Sequence, residues 1–521
     1  MKNHEIDAAW AYHNGTKHSY QSIRANAHYL DWENQPLPFK IYPQLAPLAL
    51  DPNLSSSSMA ALAALGSRGG APQTSNPLTN RGLAEILFLS AGITRRRKFI
   101  GGEINFRAAA CTGALYHIDL YVVCAELEGL GAGVYQFSPE DFALRQLRAG
   151  DYRSVMVSAG GAEPSIVKAP CVIVTASTFW RNAWKYQARA YRHCYWDDGT
   201  VLANLLAAAR ARQIWTKVVV GFIDATVDRL LGLDSRREAA LSLVALGQDG
   251  SSRRVGSPPP IETLTLETAP LSKTEVDYPA MRAMHEASAL ESEEEVTAWR
   301  EQGTAIGERI QDKTASVGLF PLQPAPDEEL PQDTIEEVIV RRGSTREFAH
   351  AAISFTQLST MIDCATGGFD NDFVHRDEPP LNQLYLIVNA VDGLAAGAYV
   401  YRREQQALEL LKAGDFRAAA GHLGLGQEIP ADCSVNVYFL ADLSHALARF
   451  GNRGYRAAQL EAAIMGGKLY LAAYAQRLGA SGLTFFDDDV TEFFSPDAAG
   501  KSVMFLIALG RSAKRAKLNA V

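Results

Sequence analysis

The chain is poor in the features that mark several protein classes, and each shortage excludes one class. Its 521 residues contain six cysteines with no CxxC pair, so the spacing typical of zinc and dithiol redox sites is absent. No apolar run approaches the roughly 20 residues that are needed to cross a bilayer. A net charge of −8 leaves no basic surplus to neutralise phosphates. The sequence therefore predicts no metal site, no membrane span and no nucleic-acid partner.

What remains is the composition of a folded protein of the cytoplasm. Hydrophobic residues make up 47% of the chain and charged residues 21%, which is typical of globular domains. The cysteines lie among apolar residues, as reduced core thiols do, and residues 1–10 contain no apolar signal core. The one dense basic run, Thr94 to Lys98, is interpreted as a solvated turn rather than a polyanion site. The length predicts two domains.

An internal repeat divides the chain. Residues 128–153 align without gaps with residues 392–417, because the paired Tyr135 and Tyr399 differ by 399 − 135 = 264 positions. Thirteen of the 26 pairs are identical, which indicates a duplication rather than coincidence. The same offset continues downstream, where it pairs Arg189 with Arg453, Arg192 with Arg456, Phe222 with Phe486 and Asp224 with Asp488.

Each copy is predicted to be an α+β unit. Two strands joined by a glycine turn are followed by a buried strand, a long alanine-rich helix (198–212 and 461–477) and a closing strand. Prolines at 258–260 and between 321 and 331 favour a long connection between the copies rather than a third core. The predicted boundaries are a leader segment at 1–80, a first domain at 81–247, a connecting arm at 248–334 and a second domain at 335–521.

Two motifs carry candidate chemistry. In the second copy Arg341, Arg342 and Arg346 surround Ser344, and guanidinium groups with a hydroxyl suit a phosphate. The simpler interpretation of this arginine-rich element is a basic helix end. In the first copy the small residues at 108–114 precede a strand and would let a flat ring approach the backbone. The simpler interpretation of this segment is a tight turn.

Together the motifs resemble the nitroreductase superfamily, and specifically its SagB/ThcOx-type branch, which includes the azoline oxidases. The arginine-rich element is similar to the family's RRS-x-R-x-F signature, with Gly343 before the serine. The second signature is matched at Arg107 and at 113–116, and the chain departs from it at Ala110, Cys111 and Thr112. The third signature is matched at Lys185, Tyr186, Arg189, Tyr191, Arg192, Asp197, Gly199, Asn204 and Leu205.

The resemblance implies two nitroreductase-like α/β sandwich domains that pair within one chain as a pseudo-dimer and bind FMN between them. The copies have kept complementary parts: only the second has the arginine-rich element and a glycine-rich turn at 479–482, and only the first has the 111–115 turn. One FMN per chain is therefore expected, with two or none as alternatives. The implied cofactor residues are Arg341, Arg342, Ser344, Arg346, Arg107, Cys111, Thr112, Gly113, Ala114, Leu115, Ser481, Gly482 and Arg511.

Lys185 and Tyr186 lie where azoline oxidases of this family carry a Lys-Tyr pair, so the resemblance implies a catalytic role in proton removal. A surface lysine beside a packed tyrosine is the simpler interpretation. The expected activity is FMN-dependent dehydrogenation or oxidation of a heterocycle or C–N bond in a small molecule or modified peptide. Two alternatives stay open: an NAD(P)H-dependent reductase of nitroaromatics or quinones, and a non-catalytic scaffold of a peptide-modifying complex.

Overall fold

Two seven-stranded sheets of the same topology form the body of the protein. The structure is a computed structural model that describes residues 2–25, 28–66, 75–99, 102–248, 258–304, 318–375 and 377–513. The strands of the first half are β1 Pro47–Ala49, β2 Ile93–Phe99, β3 Gly102–Arg107, β4 Ile118–Cys124, β5 Gly133–Ser138, β6 Ala143–Ala149, β7 Cys171–Thr178, β8 Thr216–Val219 and β9 Glu238–Leu246. Those of the second half are β10 Leu319–Pro321, β11 Ile353–Ser354, β12 Asn382–Val388, β13 Val391–Asp392, β14 Gly397–Arg402, β15 Ala407–Ala413, β16 Val435–Ala441, β17 Gly479–Gly482 and β18 Ser502–Gly510.

The strand order is the same in both sheets, apart from the numbering. The first sheet runs β1-β6-β5-β4-β7-β9-β8 and the second β10-β15-β14-β12-β16-β18-β17, and all of these pairings are antiparallel. The α+β class and the tandem duplication are therefore confirmed. Strands β2 and β3 form a separate exposed hairpin, so the basic run at 94–98 is solvated as predicted but is a strand rather than a turn.

Helices cover the sheets and lie between them. Those of the first half are α1 Asp7–Gly15, α2 Tyr20–Ala25, α3 Ala61–Leu65, α4 Asn80–Ala91, α5 Arg153–Ala159, α6 Pro164–Lys168, α7 Phe179–Tyr186, α8 Ala190–Ala211 and α9 Asp224–Leu231. Those of the second half are α10 Pro279–Ala287, α11 Glu293–Thr304, α12 Ile335–Arg341, α13 Phe355–Thr366, α14 Arg417–Leu423, α15 Glu428–Asp432, α16 Leu443–Phe450, α17 Arg453–Ala475 and α18 Asp487–Phe494. Within the described ranges, no helix has the length and apolar character that a bilayer crossing requires.

The two domains pack through their long helices, α8 and α17, which are buried along almost their whole length. Both helices begin about two turns before the predicted start, because their first turns carry buried arginines that an apolar pattern does not reveal. Glycine allows the close crossing: a Cβ added at Gly467 of α17 would lie 2.5 Å from the Cβ of Ala203 on α8. A helix that is buried on all sides has no free face for solvent, so these helices form the centre of an intramolecular pseudo-dimer.

Buried ion pairs join the domains at two symmetry-related places. Arg189 and Arg192 of the first domain contact the Asp487 carboxylate at 2.9 and 2.6 Å, and we name this group the first arginine cluster. In the second arginine cluster, the corresponding guanidinium groups of the second domain, Arg453 and Arg456, each lie 2.6 Å from the Asp224 carboxylate of the first. The side chains of both clusters are nearly inaccessible to solvent.

The N-terminal segment and the segment between the domains make equivalent contacts at these clusters. Arg192 donates a 2.7 Å hydrogen bond to the His13 carbonyl, and Arg456 donates one of the same length to the His285 carbonyl. The offset of these residues, 285 − 13 = 272, also relates β1 to β10, which extend the edges of the two sheets. The interdomain segment therefore contacts the second domain in the same way as the N-terminal segment contacts the first.

Candidate functional site

The turn after β3 contains several residues in a left-handed conformation. A single 3₁₀ turn, Thr112–Ala114, lies between β3 and β4. Gly113, Ala114 and Tyr116 have φ values of 62°, 55° and 47°. For residues other than glycine, such a conformation costs roughly 1–3 kcal/mol each. Surrounding contacts must therefore stabilise this turn.

Asp197 on α8 provides those contacts. Its carboxylate accepts hydrogen bonds from the Thr112 amide at 2.9 Å, from the Thr112 hydroxyl, and from the Cys111 thiol at 3.0 Å. His117 Nε2 lies 2.8 Å from the same carboxylate, and its Nδ1 lies 2.8 Å from the Ser177 hydroxyl. Burial, and then Asp197, raise the pKa of the Cys111 thiol well above its usual value. Cys111 is thus a neutral hydrogen-bond donor rather than a nucleophile.

The same side chains could hold a metal ion. The potential ligand atoms of Cys111, His117 and Asp197 lie within 4.8 Å of one another, the one such group in the described part of the chain. Metal binding would require the Cys111 thiol to lose its proton, which burial and the Asp197 carboxylate oppose. The hydrogen-bonded network supports the turn without a metal, and the expected absence of a metal stays a prediction.

The arginine-rich element of the second domain reaches this turn of the first domain. The Arg342 guanidinium donates two hydrogen bonds, both 3.0 Å long, to the carbonyls of Ala108 and Arg107. It also lies 5.7 Å from the ring centre of Tyr470 on α17. The two motifs singled out in the sequence are therefore neighbours in the structure, although Arg342 and Ala108 are 234 positions apart.

Ser344 connects the arginine-rich element to β17. Its hydroxyl lies 2.8 Å from the Tyr470 hydroxyl, which accepts a 3.2 Å hydrogen bond from the Gly482 amide. Ser481 is buried, and its hydroxyl has no hydrogen-bond partner in the described part of the chain. The segment predicted as a glycine-rich turn is an edge strand, because it pairs with β18.

Lys185 and Tyr186 end α7 of the first domain and lie close to Arg346 of the second. Burial, and then the positive charge of Arg346, lower the pKa of the half-buried Lys185. Burial, and then the negative charge of Asp197, raise the pKa of Tyr186. A Cβ added at Gly113 would lie 2.8 Å from the Tyr186 hydroxyl. The Lys-Tyr pair therefore lies near both the turn and the arginine-rich element.

The equivalent pair in the second domain has structural partners. Arg449 forms a 2.8 Å salt bridge with Glu378, and the ring of Phe450 packs 5.5 Å from that of Trp299. Neither side chain offers a group that could exchange a proton near neutral pH. The second-domain pair therefore cannot take the role that is predicted for Lys185 and Tyr186.

Other predicted cofactor residues make contacts elsewhere. Arg341 forms a 2.7 Å salt bridge with Asp333. Arg107 is buried and donates to two backbone carbonyls, whereas the exposed Arg511 donates to one. Leu115 lies in the core beneath the turn. Direct contact of these four residues with a cofactor stays a prediction.

The residues that do meet fit an anionic, planar cofactor such as FMN. Arg342, Arg346 and Lys185 form no salt bridge with any carboxylate of the described residues. Guanidinium groups without a counter-charge suit a phosphate. The unpartnered Ser481 hydroxyl offers a further hydrogen bond to a ligand, because a buried polar group without a partner is costly.

The sequence analysis missed the tyrosines of α17. Tyr470 and Tyr474 are one helical turn apart, and their rings stack at 6.5 Å. Tyr470 contacts the hydroxyl of Ser344, and Tyr474 lies 3.3 Å from that of Thr345. Two tyrosines four positions apart in an alanine-rich helix were the available signal. The alignment of the two copies does not reveal this signal, because the first copy has Leu206 and Arg210 at the equivalent positions.

Comparisons with known proteins agree with this architecture. The model of the nitroreductase family matches residues 79–248 and 339–511, which contain most of the two sheets. A crystal structure from Anabaena variabilis, described as a nitroreductase, is similar over 97% of this chain and 99% of its own, with a TM-score of 0.76 and 26% identity. The Methanocaldococcus jannaschii protein MJ1384, named as a nitroreductase, is 27% identical over 174 residues, which are 33% of this chain and 83% of its own.

Proposed function

The chain belongs to the nitroreductase family, and from this premise we propose that it is an FMN-dependent oxidoreductase with one flavin site built by both domains. The observation that carries the proposal is the contact of Arg342 with the carbonyls of Arg107 and Ala108. It joins the phosphate-type residues of one domain to the small-residue turn of the other. Neither domain contains both parts, so the composite site needs the pair.

In this proposal each domain supplies a different part of the binding site. Arg342, Arg346 and Ser344 would hold the phosphate, because neither guanidinium group has a carboxylate partner among the described residues, and Tyr470 contacts both Arg342 and the Ser344 hydroxyl. The turn at 111–115 and the edge strand β17 lie against the flat ring. The Ser481 hydroxyl, for which the described residues offer no hydrogen-bond partner, would donate a hydrogen bond to a ring atom. The Asp197 network keeps the strained turn in place.

The proposed reaction is a dehydrogenation, in which bound FMN supplies the two-electron acceptor. Lys185 removes the proton that the substrate loses together with the hydride. The lowered pKa of Lys185 favours this role, because a larger fraction of the amine is neutral at a given pH. Tyr186 keeps its proton, since its pKa is raised, and donates a hydrogen bond to the substrate. A heterocycle or C–N bond in a small molecule or peptide is the substrate class.

The first test concerns the phosphate end. Arg342→Ala combined with Arg346→Ala should yield folded protein without flavin, seen as loss of the visible absorbance of oxidised FMN. Arg282→Ala is the control, because Arg282 is paired with Asp277 outside the proposed site, and it should keep the yellow colour. A double variant that retains full flavin content would remove the assigned phosphate site.

The second test separates the proposed dehydrogenase from a nitroreductase. Purified flavin-loaded protein is mixed anaerobically with a 2-substituted thiazoline or with NADH, and flavin absorbance is followed. Bleaching by the thiazoline alone is the expected result. Bleaching by NADH alone would identify NADH as the reductant and contradict the dehydrogenase assignment.

A further inference from the structure

A second space lies between the domains, apart from the composite site. It is a partly open cavity of about 380 Å³ lined by α8, β8, α17 and the segment after α13. Ligand sites in proteins are typically about 300–1,000 Å³ in volume. This cavity is thus large enough for a small organic molecule.

The cavity lies where the pseudo-symmetry would place a second flavin. Its lining includes Leu206 and Arg210, which stand 264 positions before the composite-site tyrosines, and Glu461, which is the repeat of Asp197. At its β8 edge, Thr216 and Lys217 stand where β17 has Gly479 and Ala480. The side chains around this cavity have therefore diverged from those of the composite site, and they create a different chemical environment.

Lys468 is the feature that points to a ligand. It lines the cavity with only 5% of its surface exposed, and its ammonium group donates one 2.7 Å hydrogen bond, to the Gly368 carbonyl. Among the described residues no carboxylate forms a salt bridge with it, and the nearby Arg210 is a second cation, whose charge the Asp370 carboxylate partly offsets. A buried cation without a counter-ion is costly. The corresponding residue of the first domain is the neutral Asn204.

None of the three acidic residues of the lining forms a salt bridge with Lys468, and one of them, Asp370, lies near Arg210 instead. Glu378 is paired with Arg449, and the Glu461 carboxylate accepts hydrogen bonds from the Asn382 amide and side chain, each at 2.9 Å. One part of the wall is apolar and is formed by Leu65, Leu206, Ile214, Phe369, Val374 and Met465, and the other part carries polar side chains such as Asn371, His375 and Arg403. An anion with an apolar body would match both features.

We propose that this cavity is a second ligand site, separate from the flavin site, which binds a small organic carboxylate with an aromatic or apolar body. The carboxylate pairs with the Lys468 ammonium group near Arg210, and the apolar body lies against the aliphatic and aromatic wall. Because the site differs from the composite site in charge and in shape, its ligand is not a flavin.

The test is calorimetric titration of the full-length, flavin-loaded protein with 2-naphthoate, its neutral analogue 2-naphthamide, and inorganic phosphate. We expect 2-naphthoate to bind at least tenfold more tightly than either of the others. Lys468→Met should weaken 2-naphthoate binding at least tenfold and leave 2-naphthamide unaffected. Lys273→Met, at a site whose side chain is 74% exposed, is the control and should change nothing. If Lys468→Met does not fold, Arg210→Met should give the same selective loss.

Three results would overturn the proposal. The first is equal affinity for 2-naphthoate and 2-naphthamide, or tighter binding of phosphate. The second is loss of 2-naphthoate binding in Arg346→Met with retention in Lys468→Met, which would locate the anion at the flavin site. The third is a second flavin per chain that disappears in Lys468→Met. Flavin content is measured separately on each sample, so failure of the flavin assignment is distinguishable from failure of this one.

Discussion

Single residues determine which member of the Lys-Tyr pair can act as a base. Lys185 and Tyr186 are adjacent and both half-buried, but burial has opposite effects on the pKa of an amine and of a phenol. It lowers the pKa of Lys185 and raises that of Tyr186, and Arg346 lowers the pKa of Lys185 further. The sequence alone did not distinguish the two as candidate bases, whereas these pKa shifts favour the lysine as the base of the proposed reaction.

We therefore predict a pH profile that depends on Lys185. The rate of flavin bleaching by the thiazoline should rise with pH, because the neutral amine is the base, with an inflection below the ordinary lysine pKa of 10.5. Lys185→Met should lower the rate by about 10²–10⁴-fold, keep the flavin and lose the inflection. Tyr186→Phe should keep the inflection. An unchanged inflection in Lys185→Met would exclude Lys185 as the base.

A buried histidine makes stability depend on pH in the acidic range. Burial, and then the charge of Arg456, lower the pKa of His285 to about 3. Since the unfolded chain binds this proton near pH 6.5 and the folded chain does not, stability decreases as the pH falls from 6.5 towards 3, by up to about 1.4 kcal/mol per pH unit.

His285→Gln should abolish the proton uptake of this side chain on unfolding, because glutamine does not titrate. Its amide oxygen can still accept the 3.1 Å hydrogen bond from Arg456. The free energy of unfolding, measured with urea between pH 4.5 and 6.5, should then change less steeply with pH. The difference in slope should correspond to at most one bound proton. The exposed His445→Gln is the control and should keep the wild-type slope. Identical slopes for wild type and His285→Gln would show that the buried imidazole is not the source.

Among the elements, the repeat changes register by one residue after the long helices. The offset of 264 pairs Asp224 with Asp488 and Phe222 with Phe486. In the structure, however, the carboxylate equivalent to Asp224 is Asp487, at an offset of 487 − 224 = 263. The strands β8 and β17 differ by the same 263 positions. One residue fewer between helix and strand in the second copy accounts for the change.

This register gives a prediction with a control at the adjacent residue. Asp487→Ala should destabilise the protein by about 3–5 kcal/mol, because it leaves Arg189 and Arg192 buried without a counter-charge. Asp488→Ala should cost about 0–1 kcal/mol, since Asp488 is paired only with Lys17 at the surface. Denaturant unfolding measures both. Equal losses would contradict the structural register.

The whole molecule is symmetric in its fold and asymmetric in its sites. The seven-stranded sheet, the long central helix and the arginine cluster are each present twice, once per domain. In contrast, the arginine-rich element, the tyrosines of α17 and the Lys-Tyr pair meet at one place only. Duplication preserves the packing that holds the halves together, while only one of the two equivalent sites needs to retain the cofactor residues.

The prediction at this scale is one FMN per chain. Acid-released flavin, measured against protein concentration from amino-acid analysis, should give a ratio near one in fully loaded samples. The Arg342→Ala and Arg346→Ala double variant should give a ratio near zero rather than one half of the wild-type value. A wild-type ratio of two would show that the second site also binds flavin.

The sequence by itself determined the duplication, the α+β class and the succession of the main strands along the chain. These features are local or periodic: an apolar run indicates a strand wherever it stands, and a constant offset indicates a repeat. Even the complementary loss of motifs in the two copies was visible, since it required only that Arg341–Arg346 and the 111–115 turn be compared with their repeats. The meeting of these two segments was a hypothesis that the contact of Arg342 supports.

Tertiary structure alone decided which charged groups find partners. Arg341 and Arg342 are neighbours in sequence, yet one is paired with Asp333 and the other reaches the turn of the opposite domain. The equivalence of the leader and the interdomain segment, the role of Tyr470 and the buried Lys468 were likewise invisible. Each depends on contacts between residues far apart in the chain, and the burial that shifts a pKa or exposes a missing counter-charge exists only after both domains have packed.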